Sequence, residues 1–554
     1  MDVFFLWLGT FVLGFWIFNK INQWKNLPPG PWVFPIIGYL PYLDRQHPHL
    51  TLTKLSQQYG PIYGISMGSI YSVVLSDHKL IREAFSKDVF SGRAPLYLTH
   101  GIMKGNGIIC AEGALWKDQR KLITSWLKSF GMSKHSIARD QLENRIAIGV
   151  HELLQDIREA SGSPVSLSNM ITHSVGNVVN DIVFGFKFPP EDKTWRWFRK
   201  IQEEGCHEMG VAGVVNFLPF VRFIYPSIQN TIKVLVRGQA QTHRLYASII
   251  SRRRQMLGLQ VPEKAKYSEH ANLFNEHPEG FIKCIKYSNL ASNTEVHYFD
   301  PKVLIASKDE CILDNYLMEQ KRRYDNGEAI ACFMTDEQMH FLLADMFGAG
   351  LDTTSTTLSW YLLYMALYQE EQVCTILFKQ KIITVYPEDC QVDSSKLTYL
   401  MATVCETQRI RSIVPVGIPH GCLHVRGYRI PKGTMVVPLQ WAIHMDPNVW
   451  ESPYDFRPSR WIDEEGNLLK PPEFIPFQTG KRMCPGDELS RMISVGLIAR
   501  LFRSFRISLA SKPPTDGEMQ GKVGVTLSAP EVLFIKDVHS SFCFKKQLGC
   551  TQCR

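Results

Sequence analysis

One cysteine in this sequence stands where a metal would take it. In Phe477-Gln478-Thr479-Gly480-Lys481-Arg482-Met483-Cys484-Pro485-Gly486, Cys484 sits in a loop that runs into the helical sequence Asp487-Glu488-Leu489-Ser490-Arg491-Met492. Gly480 and Gly486 let the backbone bend and approach a flat ligand closely, as no side chain would allow. Arg482 supplies a fixed cation for an acidic group of such a ligand. The helix beginning just after Cys484 turns its N-terminal amides towards the sulfur, and that dipole, like a metal, favours thiolate over thiol. A haem iron held by such a thiolate is pushed towards splitting dioxygen. Taken alone, the loop is equally compatible with a buried structural thiol.

Three other groups have types and spacing suited to chemistry. Gly348-Ala349-Gly350-Leu351-Asp352-Thr353-Thr354 lies near the middle of a stretch from Asp336 that reads as one long helix. Its two glycines weaken the helix and open a groove to a planar group, and Asp352 and Thr353 add the carboxylate and hydroxyl a proton relay requires. A helix crossing eased by small residues is the structural alternative. Trp116-Lys117-Asp118-Gln119-Arg120 puts an indole donor and a guanidinium four apart on one helical face, a geometry for gripping a buried carboxylate, although an isolated pair of this kind is ordinarily a surface helix. Glu406 and Arg409 stand three apart, with Arg460 following in Pro453-Tyr454-Asp455-Phe456-Arg457-Pro458-Ser459-Arg460-Trp461; as surface ion pairs they would count for little.

The elements that must position these groups are mostly helical. From 130 to 260 the chain reads as helices joined by short loops. Pro61 to Gly68 and Ser72 to Leu75 suggest a hairpin, and a turn with short strands follows Gly427. Ser412-Ile413-Val414-Pro415-Val416-Gly417-Ile418-Pro419-His420 is apolar and bent by prolines; a lone His420 reads as a hydrogen-bonding structural residue. The 554 residues, 45% hydrophobic and 21% charged, are enough for a large core. The net charge of +8 without long Lys/Arg runs argues against nucleic acid and for a membrane surface or acidic partner. Thirteen scattered cysteines fit a reducing compartment, and Cys550 and Cys553 have no second pair to complete a zinc site.

Val3 to Phe18 are almost wholly apolar, and as a helix they span roughly 24 Å. With Asn19-Lys20-Ile21 they read as an N-terminal membrane anchor over 1–21, and Lys20 and Lys25 place the body on the cytoplasmic side. Residues 22–35, with Leu27-Pro28-Pro29-Gly30-Pro31, read as a stiff hinge, 36–540 as the catalytic body and 541–554 as a tail.

The pattern Phe-x-x-Gly-x-Arg-x-Cys-x-Gly resembles the haem-binding signature of the cytochrome P-450 monooxygenases in every defining position, and Ala349 to Thr354 resembles their oxygen-activating motif. The resemblance implies a mainly α fold with a smaller β-rich part, haem b lying between the Thr353 helix and the Cys484 loop. It implies Cys484 as axial ligand and Phe477, Gly480, Arg482 and Gly486 as its cradle. Trp116 and Arg120 would grip a propionate, Asp352, Thr353 and Gly350 would form the oxygen-activating site, and Glu406, Arg409 and Arg460 a buried network behind the cysteine loop. One atom of O2 would enter a C–H bond. Electrons would come from NADPH through a flavoprotein reductase, since no Gly-rich dinucleotide fingerprint occurs here. Lys117, Lys121, Lys481 and Arg482 are candidates for its docking face. Location in the endoplasmic reticulum membrane, facing the cytoplasm, follows for a microsomal member.

The runs Gly92 to Cys110 and Gly213 to Phe223 are most similar to arthropod clan-two enzymes of moulting-hormone synthesis, in particular those hydroxylating ecdysteroid precursors at carbon 25. A pocket lined by Ile108, Val214, Ala349, Ile413, Val414, Val416 and Val525 suits a sterol, and equally a fatty acid or a foreign lipophile. A haem-thiolate isomerase and a gas-binding haem protein are the readings from other classes. The interrupted apolar run Val211 to Phe223, flanked by Arg222 and Tyr225, suits a membrane interface, with core packing as the alternative. Residues 282–313 show no period and no likeness to the family. They read as an insertion, either a disordered surface loop or a translated intron, without core contacts, so that deletion over 283–310 leaves haem content and melting almost unchanged.

Overall fold

The computed structural model describes residues 27–34, 36–133, 136–160, 164–208, 213–260, 304–307, 309–377, 397–425 and 428–538. The expected anchor and the Cys-x-x-Cys tail lie outside them. Among the described residues no helix is long and apolar enough to cross a membrane.

Helices dominate. α1 (Pro48–Tyr59) and α2 (His78–Phe85) flank the expected hairpin of β1 (Ile62–Met67) and β2 (Ile70–Leu75). Then come α3 (Gly113–Leu127), α4 (Ile137–Glu159), α5 (Leu167–Phe184), β3 (Phe186–Lys187), α6 (Lys193–Glu208), α7 (Val214–Phe217) and α8 (Pro226–Met256). β4 (Ile305–Ala306) precedes α9 (Ile312–Asp325), α10 (Asp336–Leu367), α11 (Gln369–Leu377) and α12 (Thr398–Ile410). The rest comprises β5 (His420–Val425), β6 (Tyr428–Pro438), α13 (Gln440–His444), α14 (Asp487–Ser504), β7 (Phe505–Leu509), β8 (Lys522–Val523), β9 (Leu527–Ser528) and β10 (Phe534–Val538).

α10 is the axis of the helical part. Thr335 caps it by accepting the amide of Gln338 at 3.1 Å, and Asp336 and Glu337 fall in its first turn, where the dipole favours them. Most of its apolar residues are buried, including Leu343, Phe347, Leu351, Leu358 and Leu362, while Ala349 near its middle is exposed. The β part is a four-stranded sheet in the order β1-β2-β6-β5, with β6 parallel to β2 from Ser72 beside Met435 to Leu75 beside Pro438. Its core holds Tyr63, Ile65, Val74, Met435 and Val437 together with Phe217 of α7. The expected hinge is laid along this sheet: Pro29 accepts the amide of Gly64 at 2.8 Å, and a Cβ on Gly30 would strike the Gly64 carbonyl.

Two expectations need correction. Gly350 does not open a groove to a planar group: a Cβ there would lie 3.2 Å from Val179 of α5, and one on Gly348 would meet Gln202 of α6. These glycines let neighbouring helices close on α10. The expected insertion is also not free of core contacts to its end. Residues 261–303 lie outside the described set, but Leu304 is buried and β4 pairs with β3. Arg252 donates to the Leu304 carbonyl at 3.3 Å and Arg253 to those of Ser307 and Asp309 at 3.3 and 3.2 Å. Deletion through 310 therefore removes packed structure. Leu304→Ala should cost about 2–5 kcal/mol in urea unfolding, the range for emptying a buried leucine site.

Candidate active site

The cysteine loop is tightly held. The Cys484 amide donates to Phe477 O at 3.0 Å, that of Met483 to Gly480 O at 3.1 Å, and that of Lys481 to Phe85 O of α2 at 3.0 Å. Gly480 has φ +79, and a Cβ there would collide with the Phe85 carbonyl, so this position requires glycine. Gly486 is the N-cap of α14, and its amide reaches the Cys484 sulfur. Burial nonetheless raises the Cys484 thiol above its ordinary value, against the pull of that amide and of Arg120. The helix end alone does not ionise the sulfur; a cation bound to it would. α14 abuts α10 where Thr354 Oγ1 and Ser490 Oγ are 3.2 Å apart, which brings the cysteine loop and the Asp352-Thr353 helix into one site.

Beside the loop lies a group of buried cations. Arg482 donates through Nε to Ser91 O at 2.8 Å, through Nη1 to Ile108 O and Ile109 O, both at 3.3 Å, and through Nη2 to Ala111 O at 2.5 Å. Its guanidinium stacks 4.2 Å from the ring of Trp116, and Arg120, one turn on, donates to the Met483 carbonyl. The Trp116–Arg120 pair thus faces the cysteine loop. Arg93 and His420 complete the cluster, and sequence reasoning had left both out of the site. Arg93 donates to Ile109 O at 2.7 Å and to His420 Nε2 at 3.3 Å, while His420 Nδ1 donates to Phe90 O at 2.6 Å. Burial, then the nearby Arg93, pulls Arg482 down to about 8, and burial pulls Arg93 to about 10. Opposing charge comes from Glu112 and, for Arg93, from the buried Asp345. The remaining excess of positive charge fits a group that brings carboxylates of its own, as haem does through its propionates. Arg482 is buried and therefore cannot belong to a docking face. Lys117 and Lys481 are exposed and converge on Asp88, at 3.6 and 2.5 Å.

On α10, Thr353 Oγ1 donates to Ala349 O at 2.7 Å, while the neighbouring Asp352 turns to Thr526, whose hydroxyl donates to it at 2.9 Å. The relay pair diverges, as adjacent helical positions must. Leu527 N donates to Ile413 O at 2.8 Å and Val525 N to Cys206 O at 3.0 Å, so Ile413, Val414 and Val525 lie near one another beside α6 and α10. Val416 is buried in the sheet core with Phe217, and Val214 opens α7, which carries Phe217.

Glu406 and Arg409 are fully buried. Glu406 accepts from Arg409 Nε and Nη2, both at 2.8 Å, from the Arg457 amide at 3.0 Å, from Arg460 Nε at 3.2 Å and from Trp461 Nε1 at 2.9 Å. Arg409 Nη1 continues to His444 O at 2.9 Å, His444 Nε2 accepts the Ile475 amide at 3.1 Å, and Ile475 O accepts that of Gln478 at 3.0 Å. The network therefore ends on the first residues of the cysteine loop.

A cytochrome P450 family model matches residues 28–534. The chain belongs to the cytochrome P450 family. Among relatives of this P450, cytochrome P450 306a1 of Drosophila melanogaster is 39% identical over 516 residues, covering 90% of this chain and 87% of the relative. Cytochrome P450 18a1 of the same organism is 31% identical over 93% of this chain and 87% of its own, and human cytochrome P450 2U1 is 27% identical over 94% and 91%. Enzymes of this family are monooxygenases that use thiolate-ligated haem and take NADPH electrons from a reductase, with O2 and a hydrophobic substrate as the other partners.

One residue of the P450 site gave a signal that went unread. Asp345 is the single carboxylate in the apolar stretch Phe341 to Phe347, eight residues before Thr353 on the same helix face. Its Oδ2 accepts the amides of Ile108 and Ile109 at 2.7 and 2.8 Å, and Gln338 brackets Gly107 through its amide and carbonyl, both at 2.9 Å. The loop bearing Ile108 is thereby clamped to α10. Burial pushes the Asp345 carboxyl from 3.8 up to about 7. An acid with a raised folded pKa binds its proton more tightly when folded, so stability is lost as pH rises between about 4 and 7. Denaturant unfolding across that window should show this slope in the native protein and a flatter one in Asp345→Asn.

Proposed function

We propose that this P450 hydroxylates a lipophilic substrate, an ecdysteroid precursor at carbon 25, using a haem held by Cys484. The observation that supports the site is the convergence of the Cys484 loop, the Arg93, Arg120 and Arg482 cluster and the Thr353 helix. Bound haem would supply the iron at which O2 is activated, one oxygen atom entering a C–H bond and the other leaving as water. The chain's own part is to seat the propionates on Arg93, Arg120, Arg482 and Trp116, with His420 holding Arg93 in place. It also excludes water with the Ile413, Val414 and Val525 wall and holds protons at Asp352 and Thr353. Lys117 and Lys481, with Lys121 nearby on α3, suit an acidic reductase surface.

The substrate assignment is supported by the resemblance of Gly92 to Cys110 and Gly213 to Phe223 to enzymes of moulting-hormone synthesis. The purified protein with reductase and NADPH should convert a precursor with hydrogen at carbon 25 to the 25-hydroxylated product, with NADPH and O2 consumed in step. Preferred turnover of a fatty acid or foreign lipophile would replace that substrate, and product formed without NADPH would point to an isomerase. In Thr353→Ala, peroxide should appear at the expense of product; tight coupling retained would remove Thr353 from the relay.

For location, we propose the endoplasmic reticulum membrane with the catalytic body in the cytoplasm. Trp32, Phe34, Ile36 and Tyr42, and in a second stretch Phe220, Phe223, Ile224 and Tyr225, are exposed, the aromatic and aliphatic content of a membrane interface. The two stretches lie close, since Gly68 N donates to Ile37 O at 3.2 Å and a Cβ on Gly68 would lie 2.7 Å from Phe217 O.

A further inference from the structure

We propose that Cys206 and Thr526 are positioning residues for Asp352, seating its carboxyl between α6 and the 524–527 turn and so setting how readily it gives up a proton. The inference rests on the reading of Asp352 as the proton carrier. Asp352 receives the Thr526 hydroxyl at 2.9 Å and the Cys206 thiol, which comes from the last turn of α6. The seat is stiff: Val525 N donates to Cys206 O at 3.0 Å, Leu527 N to Ile413 O at 2.8 Å, and Trp360 Nε1 of α10 to Leu527 O at 2.6 Å. Gly348, with Gln202 packed against it, lets α6 approach α10 at this point.

The chemistry of the two donors matters. An arginine or lysine in their place would hold the carboxyl as carboxylate, with no proton to give. A hydroxyl and a thiol steady it in either state, and burial keeps the Cys206 thiol protonated and able to donate. The other charges facing Asp352 reinforce this. Glu203 of α6 is acidic, with Glu531 beyond it, and Arg199 pairs with Glu203 at 3.4 Å. Burial raises the Asp352 carboxyl, and the Thr526 and Cys206 hydrogen bonds pull it back. In the cycle the carboxyl O–H bond breaks as the proton is given up and re-forms with a proton from solvent, with no change in electron count.

The test uses the full-length protein carrying Thr526→Val, Cys206→Ala and the pair combined. Infrared difference spectra over pH follow the protonated carboxyl band, assigned as the band missing from Asp352→Asn. Losing donors leaves burial less opposed, so that band should persist to higher pH in each variant and furthest in the double variant. Peroxide per NADPH, measured with reductase and a carbon-25-unsubstituted ecdysteroid precursor, should rise several-fold, and its pH profile should move the same way. Thr526→Ser and Cys206→Ser, which keep a donor, should restore both. A loss of packing alone would lower melting without moving the band. An unmoved band in folded Thr526→Val and Cys206→Ala overturns the proposal. Unchanged coupling in Asp352→Asn overturns the proton-carrier reading, and this proposal with it.

Discussion

Cys484→Ala should abolish the thiolate-type absorption of the reduced, CO-treated protein. Of the free cysteines among the described residues, Cys110, Cys311, Cys374 and Cys405 are buried, and Cys206 and Cys332 stand elsewhere, on α6 and in the turn before α10. Cys484 alone combines a loop braced by Gly480, the Gly486 amide at its sulfur and Arg120 bonded to the preceding carbonyl. Removing the sulfur removes the strong-field anionic donor, and no neighbouring side chain can replace it. Cys405→Ala, a change of similar size in α12, should leave the band intact. Persistence of the band in folded Cys484→Ala would show that another group holds the haem.

Glu406→Gln should be the most damaging change away from the cofactor. The carboxylate receives five donors, and three of them belong to the buried guanidiniums of Arg409 and Arg460. Neutralising it leaves those cations without their counter-charge, for which a cost of about 3–5 kcal/mol is the usual scale. The loss should not stay local. Because Arg409 reaches Ile475 and Gln478 through His444, haem retention should fall with stability, and a thermal melt followed at the haem absorption checks both. Unchanged stability and haem content would show that the network is only a passive filling of the core.

The parts of this architecture written in local pattern were legible. The Cys484 loop, the four-residue step from Trp116 to Arg120, the β1–β2 hairpin and the long α10 each depend on neighbours within one turn or one hairpin, and the structure shows each. What escaped depends on distance along the chain. Nothing near Arg93 announces that it will meet His420, and Ile108 and Asp345 are joined only once α10 is in place. Gly348 and Gly350 were visible as glycines, but which body they admit is a tertiary fact, and it is α5 and α6. Ile305 and Ala306 form a strand too short for any period to register, so its packing and that of the buried Leu304 before it could not be seen beside an aperiodic stretch.

The parallel pairing of β2 with β6 carries a consequence for synthesis. Val73, Val74 and Leu75 leave the ribosome roughly 360 residues before their partners Val436, Val437 and Pro438, an interval of roughly 20 to 70 s at ordinary translation rates. Throughout it β2 is an apolar edge with one side unpaired, the kind of strand that recruits other nascent chains. Yield in the cell should therefore depend on chaperone supply during elongation more than on the equilibrium stability of the finished enzyme.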